Sequence, residues 1–224
     1  MLVTDALPSA VLWDMDGTLV DTEPYWMTAE SELVSAWGGE WTQEHALQMV
    51  GLGLPDAARI LQDHGVGLST DEIVATMTAR VIELTRAEVP FRPGARELLR
   101  GLKEAGIPSA LVTMSYRDFA DVVIEAIGPE LFAATVTGDE VEHTKPHPAP
   151  YLRGAELLGV DVRTAIAVED SRPGVASAVA SGATVVAVPL HVALPESPDY
   201  TLWDGFAGRG LADLLAVHAE RSDA

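Results

Sequence analysis

The chain has 224 residues, 48% of them hydrophobic, and sets 14 Lys and Arg against 34 Asp and Glu for a formal charge of −20. That length and apolar content suffice for one large domain or a domain carrying an insert, while the acidity sets the chain against nucleic acid and anionic membrane surfaces. The absence of Cys excludes disulfides, thiol nucleophiles and thiolate zinc sites. No stretch approaches the apolar length of a membrane span. The first ten residues carry neither a basic segment nor a long apolar run, so no signal peptide is expected and a cytoplasmic protein is the default, with a monomer as the default state. In so acidic a chain, an anionic substrate requires local positive charge, which a cation and a well-placed Lys would supply.

In chain order, the apolar run 10–13 predicts a short buried strand that ends in Asp14-Met15-Asp16-Gly17-Thr18. Pro24 suits the first turn of a helix reaching to 36, closed by Gly38 and Gly39. Thr42 caps a short helix over 43–50, and Pro55 opens another that ends near 64. Ser69 with Glu72 reads as a capping box before a helix reaching to about 88. Residues 24–88 therefore read as all-helical, and Trp26, Trp37 and Trp41 are expected to fill the core of that block. The prolines and glycine of 89–94 read as a stiff linker.

Beyond the linker, helices over 95–105, 116–126, 149–158 and 174–180 alternate with short apolar runs at 109–112, 135–137, 165–168 and 184–188. A last helix is expected over 211–218. The runs are continuous rather than alternating, as in strands buried on both faces of a parallel sheet. The fold class that follows is α/β, a Rossmann-like parallel sheet core (residues 1–22 and 90–224) with an inserted all-helical cap (residues 23–89).

Polar residues gather after the predicted strands: Asp14 and Asp16 after the first, Thr113 and Ser115 after the second, Lys145 in the loop after the third, Glu169 and Asp170 after the fourth. Ligands bind outside the carboxyl ends of strands in open parallel sheets. Each residue alone is an ordinary cap, turn or solvated loop residue; four together at strand ends are not. Two close carboxylates on a loop suit a hard cation. Mg²⁺ held by Asp14 and Asp170 would bridge carboxylate and phosphoryl oxygen. Lys145 would add fixed positive charge, and Thr113 a hydroxyl for a phosphate oxygen. Asp14 would attack phosphorus, and Asp16 would protonate the leaving oxygen and then activate water. His143 and His147, spaced by four among prolines, read as loop residues rather than a metal pair.

In order and spacing, Asp14-x-Asp16-Gly17-Thr18-Leu19-Val20-Asp21, Thr113, Lys145-Pro146 and Glu169-Asp170 resemble the four motifs of the haloacid dehalogenase-like superfamily. The closest likeness is to its β-phosphoglucomutase and phosphoglycolate phosphatase-like branch, in which a helical cap follows the first motif. The resemblance implies Asp14 as nucleophile, Asp16 as acid and base, and Thr113 and Lys145 as phosphate anchors. It implies Mg²⁺ on Asp14, the Asp16 backbone carbonyl and Asp170, with Glu169 acting directly or through water. Met114 stands where the family often has Asn. The expected function is a Mg²⁺-dependent phosphatase of a small phosphorylated metabolite, with a phosphomutase as the alternative. A metal-free dehalogenase is disfavoured by Asp16. In the resembling mutases a cap Arg and a His grip a second phosphate. Here Leu54, after Gly53, and Trp26 fall at those places, with Arg59 one turn further on. Trp26, Gly53 and Leu54 are thus the candidate specificity residues.

Overall fold

The computed structural model describes residues 7–222; residues 1–6 and 223–224 lie outside the described residues, and with them most of the stretch on which the signal-peptide expectation rests. The described elements run β1 (Val11–Trp13), α1 (Glu23–Ala36), α2 (Gln43–Leu47), α3 (Leu54–Asp63), α4 (Thr70–Ala87), α5 (Ala95–Glu104), β2 (Ser109–Val112) and α6 (Arg117–Ile127). Then follow β3 (Ala134–Val136), α7 (Ala149–Leu158), β4 (Ile166–Glu169), α8 (Arg172–Ser181), β5 (Thr184–Ala187), β6 (Thr201–Leu202) and α9 (Leu211–Ser222). The strands form one sheet in the order β3-β2-β1-β4-β5-β6, and each neighbouring pair is parallel.

Successive side chains of β1 point to opposite faces, and both faces are covered. Val11 and Trp13 join a core with Leu99 of α5, Phe119 of α6 and Leu214 of α9. Leu12 joins a second core with Tyr151 of α7 and Ala178 of α8. This double burial is why the strand sequences are continuously apolar. The order also places β1 at the point where the connections reverse direction, first outward to β3 and then outward to β6. The crevice beyond the carboxyl end of β1 is where such sheets take ligands.

No strand occurs among the described residues from Glu23 to Ala87. The Ser69–Glu72 capping box forms as the sequence predicts: Glu72 N–H donates to Ser69 Oγ at 3.3 Å, and Ser69 N–H to Glu72 Oε2 at 2.9 Å. The apolar faces of these helices merge with the first core, and Trp26 meets Phe119 of α6 edge-on at 5.7 Å between ring centroids. Trp37 departs from expectation. It lies just past the end of α1 and is 48% exposed, lying along the backbone of Gly67.

Two features were not expected from the sequence. β6 is only two residues long and so leaves no pattern, but the backbone N–H of Trp203, buried beside it, donates to the Ala187 carbonyl at 2.8 Å. The stiff stretch 89–94 is more than a linker. Arg92 is buried there, and one guanidinium nitrogen donates to the carbonyls of Gly17 and Val188, each at 2.6 Å. That tie fastens the chain leaving the helical block to the loop that follows β1.

Candidate active site

The loop after β1 is wound tightly enough to present Asp14 and Asp16 on one side. The Met15 carbonyl accepts from the backbone N–H groups of Thr18, Leu19 and Val20, and Gly17 N–H donates to Val20 at 2.7 Å. Gly17 has φ +79°, and a Cβ there would lie 2.1 Å from Asp170 Oδ2. Glycine is therefore required by both backbone and space, because Asp170 from the end of β4 fills the position a side chain would take.

Lys145 reaches the same place from the loop after β3. Its Nζ donates to Asp14 Oδ1 at 2.7 Å, Glu169 Oε1 at 2.6 Å and the Val112 carbonyl at 2.9 Å. All three ammonium hydrogens are thereby used. Glu169 is held on every side. Tyr151 donates its hydroxyl to Oε1 at 2.7 Å, while Oε2 accepts from the backbone N–H groups of Asp170 and Ser171 and from Ser171 Oγ. A Cβ on Gly174 would lie 2.0 Å from that carboxylate.

One ammonium does not balance this cluster. Burial, and then the Glu169 charge, push the Asp14 carboxyl up to about 7. Burial followed by the charges of Asp14 and Glu169 raises Asp170 well above the usual carboxylate range. Burial alone would lower Lys145, but Asp14 and Glu169 outweigh it and keep its ammonium charged. Asp14 Oδ2 is buried without a hydrogen-bond partner, and Asp14, Glu169 and Asp170 each offer an oxygen within 4.8 Å of the others. An orphaned carboxylate oxygen amid uncompensated negative charge, with oxygen donors only, fits a hard divalent cation. Since the Glu169 oxygens already carry five hydrogen bonds, Asp14 and Asp170 have the freer oxygens for it.

Asp16 is held differently. Thr22 Oγ1 and Trp26 Nε1 donate to its Oδ1, and Ser115 Oγ at 2.7 Å and Thr113 Oγ1 at 3.3 Å donate to its Oδ2. Four donors fix its direction, but it is only half-buried, so one edge stays open to the cavity.

Thus Asp14, Asp16, Thr113, Lys145, Glu169 and Asp170 come together at the carboxyl ends of β1, β2 and β4 and the loop after β3. Thr113 is turned to Asp16, and Trp26 both lines the cavity and holds Asp16. Leu54 lines the cavity, whereas Gly53 caps α3 beside Thr144 and is not among the lining residues. Arg59 is exposed, paired with Asp56, and also away from the lining. Met114 occupies a buried cavity wall, where its Sδ accepts the Lys145 backbone N–H at 3.3 Å. His143 and His147 meet in their loop at 4.5 Å between ring centroids, tilted by 44°. Sequence reasoning missed Thr22 and Tyr151 as supports and underused Ser115. It also missed Glu23 and Glu30, two buried carboxyls on α1 that line the same cavity. Their i, i+7 spacing with Trp26 between was the available signal, since it places all three on one helix face.

A family model described as haloacid dehalogenase-like hydrolase matches residues 11–188, and this chain belongs to that family. Hexitol phosphatase B of Escherichia coli is 31% identical over 206 residues, covering 87% of this chain and 89% of its own length. Protein CbbY of Rhodobacter capsulatus is 32% identical over 211 residues, covering 88% and 89%. Among solved structures, a mutant CbbY from Rhodobacter sphaeroides in complex with xylulose-(1,5)bisphosphate superposes with a TM-score of 0.84 at 30% identity, covering 93% of this chain and 99% of that one.

The packing behind Glu169 generates a stability prediction. Gly174→Ala should destabilise the protein by on the order of 2 kcal/mol, because the added methyl must displace a carboxylate fixed by Lys145 and Tyr151. Urea denaturation of the variant beside the unaltered protein reads the difference.

Proposed function

We propose that this protein is a Mg²⁺-dependent phosphatase that hydrolyses a small phosphorylated metabolite, such as a sugar phosphate, through an aspartyl-phosphate on Asp14. The observation that carries this reading is Asp14 itself. One of its oxygens is ion-paired with buried Lys145 and the other lacks a partner, and Asp16 stands two residues on at the same cavity. Membership of a hydrolase family and likeness to the hexitol phosphatases support it.

In this reading residues 1–22 and 90–224 form the catalytic core and residues 23–89 a cap over it. The Asp14 carboxylate attacks phosphorus, and the bond from phosphorus to the ester oxygen breaks. Asp16 gives its proton to that leaving oxygen, then takes one from the water that attacks the aspartyl-phosphate, so inorganic phosphate leaves and Asp14 is regenerated. The hydroxyls of Thr22, Thr113 and Ser115 and the Trp26 indole hold Asp16 pointing into the cavity through both transfers. Lys145 favours the ionised form of Asp14 and orients it, and Tyr151 and Gly174 keep Glu169 against Lys145. Asp14, Asp170 and the Asp16 carbonyl would hold Mg²⁺, which when bound supplies Lewis-acid charge to the phosphoryl oxygens.

Asp14→Asn should retain the fold, read by circular dichroism, and lose about three orders of magnitude or more in kcat on an aryl phosphate. EDTA should abolish activity, and Mg²⁺ should restore it. An active Asp14→Asn variant would remove the assignment.

The phosphatase reading is favoured over a mutase by the cap side of the cavity. Leu54 offers no charge and the Trp26 indole one donor, already given to Asp16, while Arg59 is engaged by Asp56. With β-glucose 1-phosphate, phosphate release should outpace formation of glucose 6-phosphate, and a bisphosphate activator should not be needed. Faster isomerisation, followed by coupled assay, would make the protein a mutase.

A further inference from the structure

One wall of the cavity that Asp14 and Lys145 line is built from α1 and the helices that follow it. Glu23, Trp26 and Glu30 lie at i, i+3 and i+7 and line the cavity together. At a rise of 1.5 Å per residue the two glutamates are separated by roughly 10 Å along the helix. Between and beside them the wall is apolar, with Met49, Leu52, Leu54 and Met77.

Both glutamates are buried, Glu30 at 4% exposure and Glu23 at 9%. The Glu23 carboxyl has no hydrogen-bond donor among the described residues. The Glu30 carboxyl has one, the Trp41 indole N–H at 3.0 Å to Oε2. Trp41 is itself packed in a three-ring cluster, His45 at 5.2 Å and His64 at 5.0 Å between centroids, with the two histidines 4.8 Å from each other. Glu30 is thus aimed by a fixed indole while its other oxygen stays unused. Burying a carboxyl with open hydrogen-bonding capacity is costly unless a ligand completes it.

The charge around the pair is one-sided. Lys145 is the sole cation among the lining residues, and it is fully engaged by Asp14, Glu169 and the Val112 carbonyl. Of the three cap arginines, Arg59 and Arg80 are ion-paired to Asp56 and to Glu32 and Glu83 outside the cavity, and Arg86 is exposed and does not line it. A second phosphate or a carboxylate on the substrate would face two carboxyls and no counter-charge. Hydroxyl groups, by contrast, can donate to and accept from carboxyls, and the carbon skeleton between them can lie on the methionines and leucines.

We propose that Glu23 and Glu30 are specificity-determining residues that grip the hydroxyls of an uncharged, polyhydroxylated leaving group and turn away substrates bearing a second anionic group. This deepens the phosphatase reading and rests on it. Trp41 acts on substrate only through Glu30 and is a positioning residue. Burial, which pushes the Glu30 carboxyl up to about 7, keeps a protonated fraction that can donate as well as accept at neutral pH.

The test compares kcat/KM on four esters: a hexitol monophosphate, the corresponding bisphosphate, phosphoglycolate and an aryl phosphate. The unaltered protein should favour the hexitol monophosphate over both doubly anionic esters by at least about tenfold, the effect of one good polar contact. Glu30→Gln and Glu30→Ala should lower kcat/KM for the hexitol monophosphate about tenfold more than for the aryl phosphate, which has no hydroxyls to grip. Trp41→Phe should move the same ratio mainly through KM. Glu30→Lys should shift preference toward the bisphosphate; if it does not fold, Glu30→Gln decides the question. Equal losses on both esters, or preference of the unaltered protein for a doubly anionic ester, would overturn the proposal while leaving the phosphatase reading intact. Failure to turn over even the aryl phosphate would remove both.

Discussion

The buried ammonium of Lys145 is the interaction on which the rest of the site depends. It joins Asp14 at the end of β1 to Glu169 at the end of β4 and anchors both to the carbonyl that closes β2. Three strands are thus tied at one point by a single charge. Taking away one partner of such a pair typically costs about 3–5 kcal/mol, because the remaining charges are left in a medium that cannot solvate them. The carboxylates still outnumber it, and that residual negative charge makes the cluster fit for a cation rather than a finished salt bridge. Burial therefore does double duty. It fixes the geometry of Asp14 and leaves the cluster needing one more positive centre.

The sheet order makes this convergence possible. With β1 central and the connections reversing beside it, the segments after β1, β2 and β4 must open into a common crevice. The helices between Glu23 and Ala87 then lie across that crevice, and α1 brings a face of Glu23, Trp26 and Glu30 to it. Arg92 secures the return of the chain by holding the Gly17 carbonyl, so the loop that carries both aspartates is braced a second time. The proposed chemistry of phosphoryl transfer and the proposed reading of the leaving group thus fall to different residues lining one cavity.

Much of this was legible in the amino-acid order. The strands were readable because double burial leaves continuous apolar runs, and the helix starts because Pro24, Ser69 and Glu72 have local mechanisms. Asp14, Asp16, Thr113, Glu169 and Asp170 stood out because each falls at or just past the end of an apolar run, and Lys145 because it lies in the loop after one. What was not legible depends on contacts distant in sequence. Tyr151 lies inside a helix, and its hydroxyl matters only because β4 brings Glu169 beneath it. Arg92 looked like a linker residue because nothing local announces that its guanidinium will be buried between two carbonyls. Trp37 was assigned to the core of the helical block with Trp26 and Trp41, but its place beyond the end of α1 leaves it half in solvent. Glu23 and Glu30 were given no role within the predicted helix. Only the packing of α1 over the crevice turns them inward.

The central claim is that Asp14 carries the phosphoryl group. The most direct measurement is a crystal structure of the protein soaked with beryllofluoride and Mg²⁺, in which the fluoride adduct mimics an acyl phosphate. The account predicts beryllium bonded to an Asp14 carboxylate oxygen, with the cation between that adduct and Asp170. An adduct on Asp16 or on any other side chain, or none at saturating fluoride, would contradict it.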